Sequence, residues 1–262
     1  MTHGNDSGGV FLIHKHEGET PLACMERFRA CFGLGQHIPL TYAGRLDPLA
    51  SGLLLVLSGE MCKRKEEFLG LGKVYEVDIL FGVGTDTHDP LGMVVETDTH
   101  ANDKVTKEIL HTALQKHRGT FVQAYPDFSS KTINGTPMFA HARAGTLGDA
   151  RPHQEVTISS LEMIGPLKSI SGEVILGDVR ERVGKVTGDF RQDAIIKLWQ
   201  EALRDHKGRE FPLVRVRVHA SSGTYMRRLA HDIGQDLGIP ALAYKIVRTQ
   251  IGVSTKLTLS VL

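Results

Sequence analysis

The chain has 262 residues, 41% of them hydrophobic, with 31 Lys and Arg against 30 Asp and Glu for a formal net charge of +1. That is enough apolar material for one large domain or two small ones with a real core, so a disordered or collagen-like chain is excluded. No apolar run reaches the ~18 residues that span a bilayer, and the opening MTHGNDSGG has no signal-peptide pattern, so the expected compartment is the cytoplasm and no membrane partner is expected.

Residues 1–9 read as a flexible tail. Val10 to Ile13 is a short apolar run with the length of a strand. Thr20-Pro21 then offers a helix N-cap followed by proline at the first helical position. Leu22, Met25, Phe28 and Phe32 recur at helical spacing until Gly33. Gly44 to Gly52 is a glycine-bounded loop leading into Leu53 to Leu57, an apolar run that reads as a strand buried on both faces. Tyr75, Val77, Ile79 and Phe81 alternate with Val74, Glu76, Asp78 and Leu80, the period of a strand with one mainly apolar face. Gly82 to Gly92 is rich in turn residues. A helix is predicted over Val105 to His117 through Ile109, Ala113 and Leu114, with Gly119 as its C-terminal cap.

From Phe121 to Arg151 periodicity weakens, which predicts an extended, partly mobile loop. Ile195, Leu198, Trp199 and Ala202 mark a helix closed by Gly208. Val214, Val216 and Val218 then alternate with Arg215, Arg217 and His219, a strand with a core face and a basic face. The final helix starts at Tyr225, carries Met226, Leu229, Ala230, Ile233 and Leu237 on one stripe, and stops at Gly238. Strands joined by hairpin-like turns and interrupted by helices predict an α+β fold with a mixed, largely antiparallel sheet in a single domain over 10–262.

Cys24, Cys31 and Cys62 lack CxxC or zinc-finger spacing and read as reduced. The 13 histidines form no HExxH or Cys/His ladder, so no metal is expected. Charge is placed unevenly. Between Asp205 and Thr249 stand Lys207, Arg209, Arg215, Arg217, Arg227, Arg228, Lys245 and Arg248 against only Asp205, Glu210, Asp232 and Asp236. A solvated charged face and a polyanion-binding surface are both compatible with that excess.

Between Gly44 and Gly52 one acid, Asp47, precedes Pro48 at the mouth of a core strand. By residue type it is a turn former or a catalytic carboxylate. The run Leu46-Asp47-Pro48-Leu49-Ala50-Ser51-Gly52 closely resembles the signature loop of the TruB family of tRNA pseudouridine synthases. Further stretches are similar to that family's motifs in the same order. They are Lys73-Val74-Tyr75, the turn from Gly84 to Asp89 followed by Gly92, the segment with Gln123, Pro126, Phe128 to Lys131, Gly135 and Ala142-Arg143, and Ser222 to Arg227 with Asp232-Ile233-Gly234. The resemblance runs from about Val10 to Gly252, with residues 172–211 left as an unassigned insertion.

The resemblance implies a pseudouridine synthase catalytic fold in a form without the family's C-terminal PUA domain, with residues 121–151 as an RNA-clasping loop. It implies an isomerase that converts uridine to pseudouridine in the T loop of tRNA, position 55, as a monomer and without a cofactor. Asp47 then becomes the nucleophile. Tyr75 stacks on the target base, Ile246 closes the other side, Tyr225 lines the pocket, and Arg227 pairs with Asp47. A carboxylate in a closed pocket needs such a counter-charge to stay ionised. A uridine in folded RNA must also be flipped out to reach it. The amides of Ser221 to Thr224, opening a helix, are candidates to receive a backbone phosphate.

Two positions depart from the family pattern. Tyr42 stands where bacterial members have a histidine that holds the RNA open, and is expected to act as a stacking wedge. Lys15-His16-Glu17-Gly18-Glu19-Thr20-Pro21 lacks the proline of the family's opening motif. The competing readings are a ribosomal RNA synthase, because Gly44-Arg45-Leu46-Asp47 also resembles the GRLD motif of those families, and an RNA-binding or RNA-folding protein without turnover.

Overall fold

The computed structural model describes residues 8–148, 151–252 and 260–261, so most of the expected tail lies outside the described residues. The chain opens with strand β1 (Gly9–Lys15) and helix α1 (Pro21–Cys31), with the Thr20 side chain accepting from the Ala23 amide as the N-cap. Strands β2 (Leu40–Ala43) and β3 (Ala50–Ser58) follow, then the short helix α2 (Glu66–Leu69) and β4 (Lys73–Phe81). A small hairpin joins β5 (Val83–Thr85) to β6 (Val94–Thr97). Helices α3 (Ala101–Lys104) and α4 (Lys107–Lys116) lead to β7 (Gly119–Ala124), the two-residue strands β8 (Thr132–Ile133) and β9 (Thr136–Pro137), and helix α5 (Met138–Ala144). The last third contains β10 (His153–Met163), β11 (Lys168–Ser171), α6 (Gly172–Gly184), α7 (Gln192–Leu203), β12 (Glu210–Ala220), α8 (Met226–Asp236), β13 (Ala241–Ile251) and β14 (Ser260–Val261).

One ten-stranded sheet carries the fold, in the order β14-β1-β3-β13-β4-β12-β10-β7, with β2 beside β3 and β11 beside β12. β13 runs parallel to β3, β1 parallel to β14, and the remaining pairs are antiparallel, which makes the α+β fold with a mixed, largely antiparallel sheet. Both faces are covered. On one, Tyr75, Val77, Ile79, Val214, Val216 and Val218 pack with Leu110 and Leu114 of α4 and Leu229 and Ile233 of α8. On the other, Leu80 and Leu242 pack with Ile175, Val179 and Val183 of α6 and Ile195, Trp199 and Leu203 of α7. On that second face of β4 the helices cover Leu80 and Arg215 covers Asp78, so β4 is buried along nearly all its length where alternation alone predicted one apolar face.

Several expectations need correction. Leu22 and Phe32 are exposed, while Met25 and Phe28 are buried as expected and Cys24 joins them. α4 ends on His117 as its C-cap; Gly119 opens β7 with φ 96°. Ile109 is also exposed, so the buried stripe is Leu110, Ala113 and Leu114. The weakly patterned segment after Phe121 is not one extended loop: Gly119–Ala124 pairs with β10 at the sheet edge, and α5 forms from Met138. Its pattern is faint because an edge strand leaves residues such as Val122 in solvent. The unassigned insertion is the α6–α7 pair that covers one sheet face.

The basic face of β12 also changes meaning. Arg215 is bonded to Asp78 and Arg217 to Glu76 across the β4 pairing. Alternation turns both arginines to the face opposite Tyr75 and Val218.

Candidate active site

β3 begins where β13 comes closest to it. Gly52 has φ 102°, and a Cβ there would lie 2.2 Å from the Arg248 carbonyl oxygen, so only glycine lets the two strands meet at this point. The loop from Gly44 to Ala50 is thereby held against the sheet, closed by a turn in which the Ala50 amide donates to the Asp47 carbonyl at 3.0 Å. Three buried cations surround it. Lys15 donates to the carbonyls of Pro48 (3.1 Å) and Ala50 (2.6 Å). Arg248 donates to those of Leu53, Arg45 and Gly44. Lys73 donates to Leu69 O and the Ser222 hydroxyl. Burial lowers both Lys15 and Lys73 to about 8.

With the turn closed by backbone bonds, the Asp47 side chain is turned toward Arg227, distant in sequence. Arg227 Nε donates to Asp47 Oδ2 at 2.7 Å and Nη2 to Oδ1 at 3.4 Å. The guanidinium is 3% exposed, and its remaining donors reach Thr87 O (2.7 Å) and Phe128 O (3.2 Å). A second carboxylate, Asp89, places Oδ2 3.8 Å from Arg227 Nε. Burial works against the Arg227 charge, but Asp47 and Asp89 outweigh it and raise its pKa. Asp89 itself is pushed up to about 6, mainly by burial, with Arg227 opposing the shift. Asp89 accepts from the Thr87 hydroxyl and the Leu91 amide, which is why the turn from Thr85 to Gly92 is ordered around it.

These groups line a cavity of about 530 Å³ whose floor is continuous with the core through Leu46, Tyr75, Met226 and Ile246. The volume is in the range of small-molecule pockets. Asp47 is the accessible partner of the ion pair, 31% exposed at the side chain against 4% for Arg227. Tyr225 joins the wall, its ring 5.6 Å from that of Tyr125, and burial followed by the nearby Asp47 pushes its hydroxyl up to about 12. Five of the six residues selected from sequence therefore meet in one cavity: Asp47, Tyr75, Tyr225, Arg227 and Ile246.

Tyr42 does not join them. It lies on β2 opposite Val56, packed half-buried near Ile13 and Phe28, with Lys65 Nζ 5.7 Å from its ring centroid. Of the amides proposed to receive a phosphate, that of Ser221 donates to the Thr157 carbonyl at 2.8 Å and that of Thr224 to the Ser221 carbonyl at 3.5 Å. Beyond them, the buried Gln123 side chain accepts from the Tyr225 amide at 2.9 Å and donates back to the Tyr225 carbonyl at 3.3 Å. Sequence reasoning read Asp89 only as a turn residue and missed the wall formed by Phe190 and Arg191 from the α6–α7 connection. The acids of the 85–92 turn are engaged by Arg191, Arg227 and backbone amides, and among the described residues no three potential ligands converge on a metal site.

Residues 37–175 match the family model described as TruB family pseudouridylate synthase (N terminal domain). A "tRNA pseudouridine synthase B" of Bacillus pumilus (strain SAFR-032) is 29% identical over 93% of this chain and 65% of its own length. One from Bacillus thuringiensis (strain Al Hakam) is 30% identical, with 93% and 66% covered. The chain thus spans about two thirds of these relatives. Among solved structures, a chain of the Cbf5-Nop10-Gar1 complex superposes with a TM-score of 0.55 at 18% identity, covering 93% of this chain and 49% of that one, a likeness of fold. Because the family model spans more than half of the sequence and includes the Asp47 loop, the chain belongs to the TruB family of pseudouridylate synthases.

Proposed function

We propose that the protein isomerises uridine to pseudouridine in tRNA, at position 55 of the T loop, with Asp47 as the nucleophile. The observation that carries this reading is the accessible Asp47 carboxylate, held by a buried arginine in a cavity lined by Tyr75, Tyr225 and Ile246. The reaction breaks the bond from C1′ to N1, reorients the uracil, and joins C1′ to C5. The C5 proton is released and N1 ends protonated, so the step is redox-neutral and balances within the nucleotide. A carboxylate beside C1′ can attack it or assist departure of the uracil. Its counter-charge is already in place, so little reorganisation is needed as charge moves.

A uridine within folded RNA reaches Asp47 only when flipped out, with its base between Tyr75 and Ile246 of the cavity lining. Tyr225 and the Gln123 clamp on its backbone hold the adjoining wall. In this reading Tyr42 meets RNA outside the cavity, and the protein works as a cytoplasmic monomer. The three cations around the 44–50 loop add positive potential behind the nucleophile, which favours a polyanionic substrate.

Tritium release from tRNA labelled at uridine C5 tests the chemistry, since joining C5 to C1′ expels that hydrogen. Mapping pseudouridine in total RNA from a deletion strain tests the position. Loss at T-loop position 55 alone is expected. Loss at a ribosomal site instead, or no release from tRNA by the wild-type protein, would overturn the proposal.

A further inference from the structure

Phe128 belongs to the segment expected to clasp RNA, yet its carbonyl is one of the acceptors that hold the Arg227 guanidinium. The position of that segment is therefore coupled to the geometry of the Asp47 ion pair. What seats it is the connection between α6 and α7. The Arg191 guanidinium stacks 4.5 Å from the centroid of the Phe128 ring and is fixed from the other side by Asp86, at 2.8 Å from Nη1. Asp86 in turn accepts from the Met93 amide, so it is anchored in the same 85–92 turn that supplies Thr87 O to Arg227. A second contact runs in parallel. Arg143 of α5 donates to the Asp189 carbonyl at 2.7 Å and lies 5.8 Å from the Phe190 ring.

The backbone at Arg191 is in the left-handed region, φ 65° and ψ 27°, which costs a non-glycine residue about 1 kcal/mol or more. It is held there from both sides. The Arg191 amide donates to the Asp189 carboxylate, and its carbonyl accepts from Ile195 at the start of α7. The strained residue is thus pinned with its side chain aimed between Asp86 and Phe128, at the cavity wall.

We propose that Arg191 is a positioning residue for the reaction: through Asp86 on one side and Phe128 on the other, it seats the clasp segment so that the Phe128 carbonyl completes the shell of Arg227 and fixes Asp47. This rests on the pseudouridine-forming reading and assigns to the α6–α7 insertion a role in the chemistry as well as in the core. Arg191 does not touch the Asp47 pair itself. Its effect passes through the guanidinium lying over the Phe128 ring, so an ammonium group that keeps only the ion pair with Asp86 replaces it in part.

The test compares Arg191→Met, Arg191→Lys, Phe128→Leu and the Arg191→Met/Phe128→Leu double variant. It measures the single-turnover rate of tritium release at saturating enzyme and, separately, tRNA affinity across a salt series. Arg191→Met is expected to slow the bound-state step by about tenfold to a hundredfold, the scale of a small misplacement of reacting groups. Its Kd should stay within about threefold of wild type, or about 0.7 kcal/mol. Arg191→Lys should recover part of the rate. Phe128→Leu keeps the carbonyl but removes the ring, and the double variant should be no slower than the slower single, as a shared pathway requires. An unchanged rate for Arg191→Met overturns the proposal. So do multiplicative losses in the double variant, or a weaker Kd with a shallower salt slope at unchanged rate, which would make Arg191 a phosphate contact. Absence of release by the wild type would sink the functional reading, whereas wild-type release with an unaffected Arg191→Met sinks this one alone.

Discussion

Replacing Asp47 with Asn separates the chemistry of this site from its folding. The side chain keeps its size and one acceptor for Arg227 Nε, while the negative charge 2.7 Å away is lost. Removing one partner of a buried pair typically costs about 3–5 kcal/mol, because it strands the other charge. Here two features reduce that cost. Asp47 is 31% exposed at the side chain, and Asp89 remains 3.8 Å from the same guanidinium. A loss of about 1–3 kcal/mol in urea unfolding is therefore expected, with the fold intact. The loop should also keep its shape, since Lys15 and Arg248 hold it by backbone carbonyls that the substitution leaves alone. Tritium release from C5-labelled tRNA should fall to background, while tRNA affinity stays within about tenfold, or about 1.4 kcal/mol. Near-wild-type release by Asp47→Asn would remove Asp47 from the mechanism. A loss above about 5 kcal/mol would refute the claim that Asp89 shares the counter-charge.

Asp89 should give the protein a pH signature. Its folded pKa, about 6, lies above the ordinary 3.8, so the folded state holds the proton more tightly and stability falls as pH rises through that window, by up to about 3 kcal/mol. The stability difference between wild type and Asp89→Asn should decline between about pH 4 and 6 and level off above, and a flat difference would contradict the shift. Trp199→Phe removes the indole bond to the Gly92 carbonyl at the end of the 85–92 turn, and calorimetry should find a loss of about 1–3 kcal/mol, whereas no loss would mean that water replaces it. Arg215→Gln with Arg217→Gln should leave the salt dependence of tRNA binding unchanged, because both arginines face away from the cavity. A slope lower by roughly one per residue would return that face to the RNA.

The parts of the fold legible in the sequence are those written in local patterns. The alternation of Val214, Val216 and Val218, the Thr20-Pro21 cap and the stripe from Met226 to Ile233 each encode an element by spacing alone. The site was legible where a short motif marked it, in the Asp47 loop and the segment around Arg227. The rest depends on contacts that sequence spacing does not carry. Asp89 looks like any turn acid until Arg227 is known to lie beside it. Lys15 and Arg248, 0% and 1% exposed, contradict the expectation that long cations point to solvent, because their partners are carbonyls of a loop many residues away. Arg191 carries no signal at all: its left-handed backbone is a position where glycine or asparagine is the usual residue. The charge excess between Asp205 and Thr249 left two readings open for a related reason. Asp47, Glu76 and Asp78, which neutralise three of its arginines, lie far upstream.

The way those buried cations are satisfied bears on why one aspartate can hold its role. Had Lys15 and Arg248 been paired with carboxylates, each would have brought another negative charge next to Asp47. Bonded to neutral carbonyls, they fix the loop without a carboxylate hydrogen bond, and burial lowers Lys15 to about 8 although Glu19, Asp47 and Glu17 favour its charge. Shape and charge are thereby assigned to different residues. Lys15 and Arg248 set the path of the loop, and Arg227 alone meets the carboxylate. Arg227 is in turn shared with Asp89, so its guanidinium is held by two acids that both line the cavity, Asp47 at 31% side-chain exposure and Asp89 at 8%. Asp89, buried and engaged by the Thr87 hydroxyl and the Leu91 amide, helps to fix the cation, while Asp47 keeps the more exposed edge. In the proposed reaction, a two-acid, one-arginine arrangement of this kind would keep the counter-charge stationary as Asp47 approaches a sugar carbon, the preorganisation that supplies much of the rate in such sites.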